Sequence, residues 1–119
     1  MKVDYLLKMD RIAKEAGTRE PEDVLEYMGY TFMDPGSGLD GFIMRRKGLI
    51  YYGVNQRLTG KKYDFAVMHE GYHGICRHYD HPGFLSQGAH MDRGNFADCK
   101  NVAETEREAN IGAADFIID

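Results

Sequence analysis

The run His69-Glu70-Gly71-Tyr72-His73 constrains this chain more than any other stretch. Residues four apart lie one above the other on a single face when the segment is an α-helix. Both imidazoles can then reach one metal ion. Glu70 sits about 100° round the helix, beside that ion rather than on it. A carboxylate there can take a proton from a water that the ion polarises. The competing reading is a core helix whose two histidines are simply hydrogen-bonded. The flanking residues support a helix from about Lys61 to Arg77. Phe65, Met68, Tyr72, Ile75 and Cys76 cluster around the His69–His73 face, and Val67, Gly71 and Gly74 fall opposite. An interior glycine costs up to about 1 kcal/mol relative to alanine. Two on one face imply a close neighbour, so the helix is expected to be covered on both sides.

Two histidines do not complete a catalytic zinc site, which takes three protein ligands and a water. A last helix is expected from near Asn101, where Asn101 and Glu104 have capping-box spacing. With Glu106 set at zero, Val102, Ala109, Asn110, Ala113 and Ile117 fall within about 60° of it. Glu106 is therefore expected at the centre of the apolar face, with Glu104, Glu108 and Asp115 on the solvent side. An ionised carboxylate on a buried face needs a compensating partner. A zinc ion carrying two neutral imidazoles is one such partner, and an arginine or tyrosine is another. Asn110 lies one turn beyond Glu106. From there its amide oxygen could accept the free ring N–H of a ligating histidine, the outer contact that metal-bound imidazoles usually make.

Upstream, Leu6, Leu7, Met9, Ile12, Ala13 and Ala16 form an apolar stripe over Val3 to Ala16, stopped by Gly17. Pro21 suits the first turn of a second, short helix, with Glu22 and Asp23 near its positive end and Gly29 after it. Asp34-Pro-Gly-Ser-Gly reads as a loop. It lacks the Gly-Lys-Ser/Thr ending of a phosphate-binding loop. Gly41 to Arg46 and Leu49 to Asn55 read as two strands joined at Lys47-Gly48, and Gly53 marks a bulge or a close backbone approach. Tyr79 to Lys100 has no clear period, and long loops of that kind often form functional rims. His78, His81, His90 and Tyr79 offer further polar groups there, and none stands out as a ligand or as an oxyanion donor.

The chain has 119 residues, enough for a single domain over 1–119 with one core. Its formal net charge of −4 argues against nucleic acid as a direct partner, because phosphate binding needs a basic footprint. Arg45-Arg46-Lys47 is the only three-residue basic run, and it falls at the expected hairpin turn. No apolar stretch reaches the length of a membrane span, and the charged residues in Met1 to Ala16 exclude a signal-peptide core. A cytoplasmic location follows as the expectation. Cys76 and Cys99 then read as free thiols, with Cys76 in the core.

Phe65-Ala-Val-Met-His-Glu-Gly-Tyr-His73 followed by Glu106-Arg-Glu-Ala-Asn110 resembles the ImmA/IrrE family of zinc metallopeptidases. Members pair HExxH with a later Glu-x-x-x-Asn/Asp helix, as gluzincins do. Ile12 to Phe32 looks like the family's short helices leading into a first strand, and Gly41 to Asn55 like its hairpin. The resemblance covers most of the chain and is specific at the two helices. It implies one zinc per chain on His69, His73 and Glu106, with Glu70 as the catalytic base. It departs from the family in two places. The family usually reads His-Glu-Leu-Gly-His, whereas Gly71-Tyr72 stands here. The family's last helix usually runs on into Leu-Leu-Met-Pro, whereas this one reads Ala113-Ala114-Asp115-Phe116-Ile117-Ile118-Asp119.

The expected fold is α+β and zincin-like: N-terminal helices, a small antiparallel sheet, the HExxH helix and a C-terminal helix bearing Glu106. The resemblance implies peptide-bond hydrolysis in a protein substrate, a helix-turn-helix repressor of a mobile element or stress response. Two other readings stand beside it. One is a binding module that counters a repressor by contact, its zinc structural. The other is a zinc enzyme with a non-protein substrate. Glu70 favours an enzyme, since a structural site has no use for a base and usually closes its fourth position. Nothing in the sequence fixes the oligomeric state.

Overall fold

Helix α1 (Val3–Ala16) buries Met9 and Ala13, two residues of the apolar stripe. Gly17, with φ 76°, ends it by donating its N–H back to the carbonyls of Ala13 and Lys14. Helix α2 (Pro21–Tyr27) opens on proline, has Glu22 and Asp23 in its first turn, and buries Val24 and Leu25. The structure is a computed structural model that describes residues 3–36, 40–77, 89–92 and 100–118, with side chains at 4–36, 40–77 and 104–118.

Strand β1 (Thr31–Phe32) follows α2 directly. Strands β2 (Gly41–Arg46) and β3 (Leu49–Val54) form the expected hairpin. Its two-residue turn has φ 53° at Lys47 and 80° at Gly48, the doubly positive geometry that matches the twist of paired strands. The sheet order is β1-β3-β2-β4, and it corrects the sequence expectation twice. First, the sheet is mixed rather than antiparallel, because β1 pairs parallel to β3. The chain leaves β1, reverses before β2, and the hairpin returns β3 into the gap between them. Secondly, Ala89–Asp92, expected to lie in a structureless loop, forms β4 against the free edge of β2. Nothing in Ala-His-Met-Asp favours a strand locally. The unpaired backbone groups of β2 supply the reason.

Helix α3 (Gly60–Ile75) lies between the sheet and helix α4 (Lys100–Ile118). Tyr52 and Val54 of β3, Val67, Met68 and Tyr72 of α3, and Ala109, Ala113 and Phe116 of α4 share one buried cluster with α1 and α2. The glycines of α3 have the close neighbours their spacing implied. A methyl group at Gly71 would meet Leu25 at 2.9 Å, and one at Gly74 would meet the Tyr30 hydroxyl at 2.5 Å and Ile43 at 2.8 Å. Gly53 is likewise a close approach, with the Phe42 ring and the Met33 carbonyl where a side chain would stand. Among the described residues, four helices and a small mixed sheet make a compact α+β fold. No helix among the described residues is long and apolar enough to cross a membrane.

Candidate metal centre

α3 carries His69 and His73 one turn apart, and both Nε2 atoms point towards α4. His73 Nε2 lies 3.1 Å from His69 Nε2 and 2.8 Å from Glu106 Oε2, and His69 Nε2 lies 3.5 Å from Glu106 Oε1. Ligand atoms at about 2.0–2.1 Å from a tetrahedral zinc are separated by about 3.3–3.4 Å. The three observed separations bracket that edge. The three groups converge on one point, where a single cation could be reached by all of them. The donor set of two imidazoles and one carboxylate is one that zinc takes in catalytic sites. The residues present therefore fit the metal.

The rings are held by packing. His69 and His73 meet edge to face, with centroids 4.6 Å apart, and Phe65 stacks on His69 at 6.4 Å. His73 is fully buried, whereas the Glu106 side chain remains 30% exposed. That exposure corrects the facing of α4. Over its residues with described side chains, the buried ones are Thr105, Ala109, Gly112, Ala113 and Phe116, a face centred about 75° away from Glu106. The apolar count made from Val102, Asn110 and Ile117 omitted a threonine and a glycine, which pack as well as alanine when a helix lies close. Glu106 thus stands at the margin of the buried face, where it reaches the histidines and a cleft at once.

The same rotation moves Asn110 further out. It is exposed, and no hydrogen bond joins it to either imidazole, contrary to the expected outer contact. It lines the rim of the cleft instead. Glu104 is exposed as expected, but Glu108 and Asp115 are half-buried. Lys100 is already helical, so Asn101 lies within α4 rather than at its cap. His78, Tyr79, His81 and Cys99 lie outside the described residues, as does the His90 side chain.

Glu70 is buried, with its carboxylate against the start of β2. It shares with His69, Glu106 and Asn110 an open cleft of about 310 Å³, walled by Leu58, Phe65 and Ala66 and edged by Asp40. Asp40 and Leu58 were not singled out from the sequence. They come from loops beside β2 and α3, and no local spacing marks them. Cys76 caps α3 in the core, where burial, reinforced by the Glu108 carboxylate, pushes its thiol up to about 12. It is a buried core residue outside the cluster of candidate ligands. Burial likewise raises the Tyr72 phenol, with smaller contributions from Asp115 and Asp10.

Compared with known proteins, the chain matches no family model, no curated protein and no solved structure. The site therefore rests on its own geometry. Among the described residues, His69, His73 and Glu106 bring their ligand atoms within 4.8 Å of one another.

Proposed function

We propose that this chain is a zinc-dependent endopeptidase of the ImmA/IrrE type. The observation that carries the reading is the convergence of His69, His73 and Glu106 beside a buried Glu70, all on one open cleft. Zinc, when bound, supplies a Lewis acid that polarises a carbonyl and lowers the pKa of water to about 7. The two histidines and the Glu106 carboxylate would hold it in place. Glu70 takes the proton of the attacking water and returns it to the leaving amine. Leu58, Phe65 and Ala66 form an apolar wall that can seat one substrate side chain beside the scissile bond. An open cleft admits an extended polypeptide, which supports a protein substrate over a small molecule enclosed in a pocket. The resemblance in the two helices names the substrate class as a helix-turn-helix repressor. No direct nucleic-acid contact and no membrane association form part of the reading.

The test joins metal analysis to proteolysis. The purified chain should hold one zinc and cleave a repressor encoded beside its gene, and Glu70→Gln should hold the zinc without cleaving. Equal cleavage by both proteins would reject the mechanism. Repressor release without any cleavage would favour the contact-only binding module.

A further inference from the structure

Gly41 is the first residue of β2, buried, and paired with Val54 on one side and Asp92 on the other. Its φ is not positive, so no turn geometry calls for glycine there. Glycine within a strand costs roughly 0.5–1 kcal/mol relative to alanine. The surroundings supply the reason for it. A methyl group at Gly41 would stand 2.6 Å from Glu70 Oε2 and 3.3 Å from Glu70 Cδ, with the Gly53 carbonyl at 3.1 Å. The strand is fixed by ladders on both sides, and the Gly53 carbonyl belongs to that ladder. The carboxylate is the movable partner.

We infer that Gly41 is a positioning residue for Glu70: its missing side chain leaves the seat in which the carboxylate rests against β2. The inference rests on the proposed role of Glu70 as proton carrier. Any side chain at Gly41 pushes the carboxylate outward by roughly 0.5–1 Å. A displacement near 1 Å in a reacting geometry can cost about 100-fold. The fold loses little, because the atom displaced is the end of a flexible side chain. Gly41 thus separates placement of the base from retention of the metal, which His69, His73 and Glu106 provide.

The test uses the full chain loaded with zinc and acetohydroxamic acid as the probe. This acid gives its N–OH proton to a neighbouring carboxylate as its two oxygens chelate zinc, so its affinity reads where the base stands. Gly41→Ala should bind one zinc, melt close to wild type in the metal-free form, and bind the probe about 10–100-fold more weakly. Glu70→Gln should weaken the probe at least as much. The double variant should be no weaker than Glu70→Gln alone, because Gly41 acts only through Glu70. Losses that multiply in the double variant, or wild-type affinity in Gly41→Ala, overturn the inference while leaving the peptidase reading intact. No zinc uptake by the wild type, or full probe affinity in Glu70→Gln, overturns both. Should Gly41→Ala fail to fold, Gly41→Ala with Glu70→Asp decides the matter. The carboxylate, shortened by one methylene, clears the methyl group and restores folding if Glu70 is the obstacle. Continued misfolding would assign the cost to the Gly53 carbonyl and overturn the inference.

Discussion

The contact between α3 and α4 has two ends built on different physics. At one end His69, His73 and Glu106 turn three electron-rich atoms towards a common point. At the other, Tyr72 lies flat in a notch that exists because residue 112 is glycine; a methyl group there would stand 2.4 Å from the ring. The polar end gathers groups that could hold a cation, whereas the apolar end is closed by shape alone. Gly112 supplies across the interface the room that the Tyr72 ring fills. The interface can therefore keep α3 and α4 together whether or not a cation occupies the polar end. Stability and metal binding should then respond to different substitutions.

The largest effect is expected at the metal end. Glu106→Ala should take zinc content from one per chain to near zero and remove the thermal stabilisation that metal gives, since binding to the folded state alone raises stability by mass action. The metal-free melting temperature should barely move. Glu104→Ala, on the exposed side, serves as the control and should keep its zinc. Loss of metal from Glu104→Ala with retention in Glu106→Ala, read by elemental analysis, would reverse the facing of α4 given by the burial pattern.

Next in size is Glu70→Gln. It keeps the shape of the side chain and removes its basicity, so zinc should stay while turnover of a verified substrate falls by about 10²–10⁴-fold. Gly112→Ala tests the apolar end. Overfilling a packed site typically costs about 1–3 kcal/mol, visible as a lower midpoint in urea, and the folded fraction should still bind one zinc. A Gly112→Ala protein that is stable but free of metal would show that the two ends are not separable.

What could be read from the sequence divides along the same line. The α3 site was legible because its information is local: His69 and His73 need only the helical repeat, and Lys47-Gly48 needs only its own φ angles. Glu106 was legible as a candidate ligand, but its facing was not. The facing depends on which small residues of α4 meet α3, and Thr105 and Gly112 carry no hydrophobic signal. The parallel pairing of β1, the recruitment of Ala89–Asp92 to the edge of β2, the Tyr72–Gly112 notch and the Gly41–Glu70 seat were all invisible for one reason. Each joins residues far apart in the chain, and no pattern within either segment names its partner in the other.

Arg19 sharpens the comparison from outside the interface. Its guanidinium lies 4.0 Å from the Phe116 ring centroid and donates to the Phe116 carbonyl at 3.2 Å and to Asp10 at 3.3 Å. It thereby ties the last turns of α4 to α1. The pair is partly exposed, so Arg19→Ala should cost only about 1 kcal/mol. That loss should appear in the urea midpoint, with unchanged zinc affinity because the clamp is at the packed end. A fall in zinc affinity of tenfold or more in Arg19→Ala would mean that strain at the end of α4 travels the length of the helix to Glu106.

The smallest effect is expected from Asn110→Leu. Sequence spacing alone placed Asn110 beside the imidazoles, where losing an outer contact typically lowers metal affinity about 10–100-fold. The rotation of α4 places it on the exposed rim of the cleft instead, about 40° beyond Glu106 on the side away from the core. A solvated amide gives up little when it is removed, and substitutions of exposed residues usually stay within about 0.5 kcal/mol. Zinc affinity of Asn110→Leu, measured by competition with a chelator of known strength, should therefore stay within about threefold of wild type. Its position on the rim leaves one route to an effect. On the proposed reading, a substrate seated between Asn110 and the wall of Leu58, Phe65 and Ala66 would let KM change while zinc affinity does not. A tenfold loss of zinc affinity would return Asn110 to the imidazoles and require α4 to turn when the metal binds.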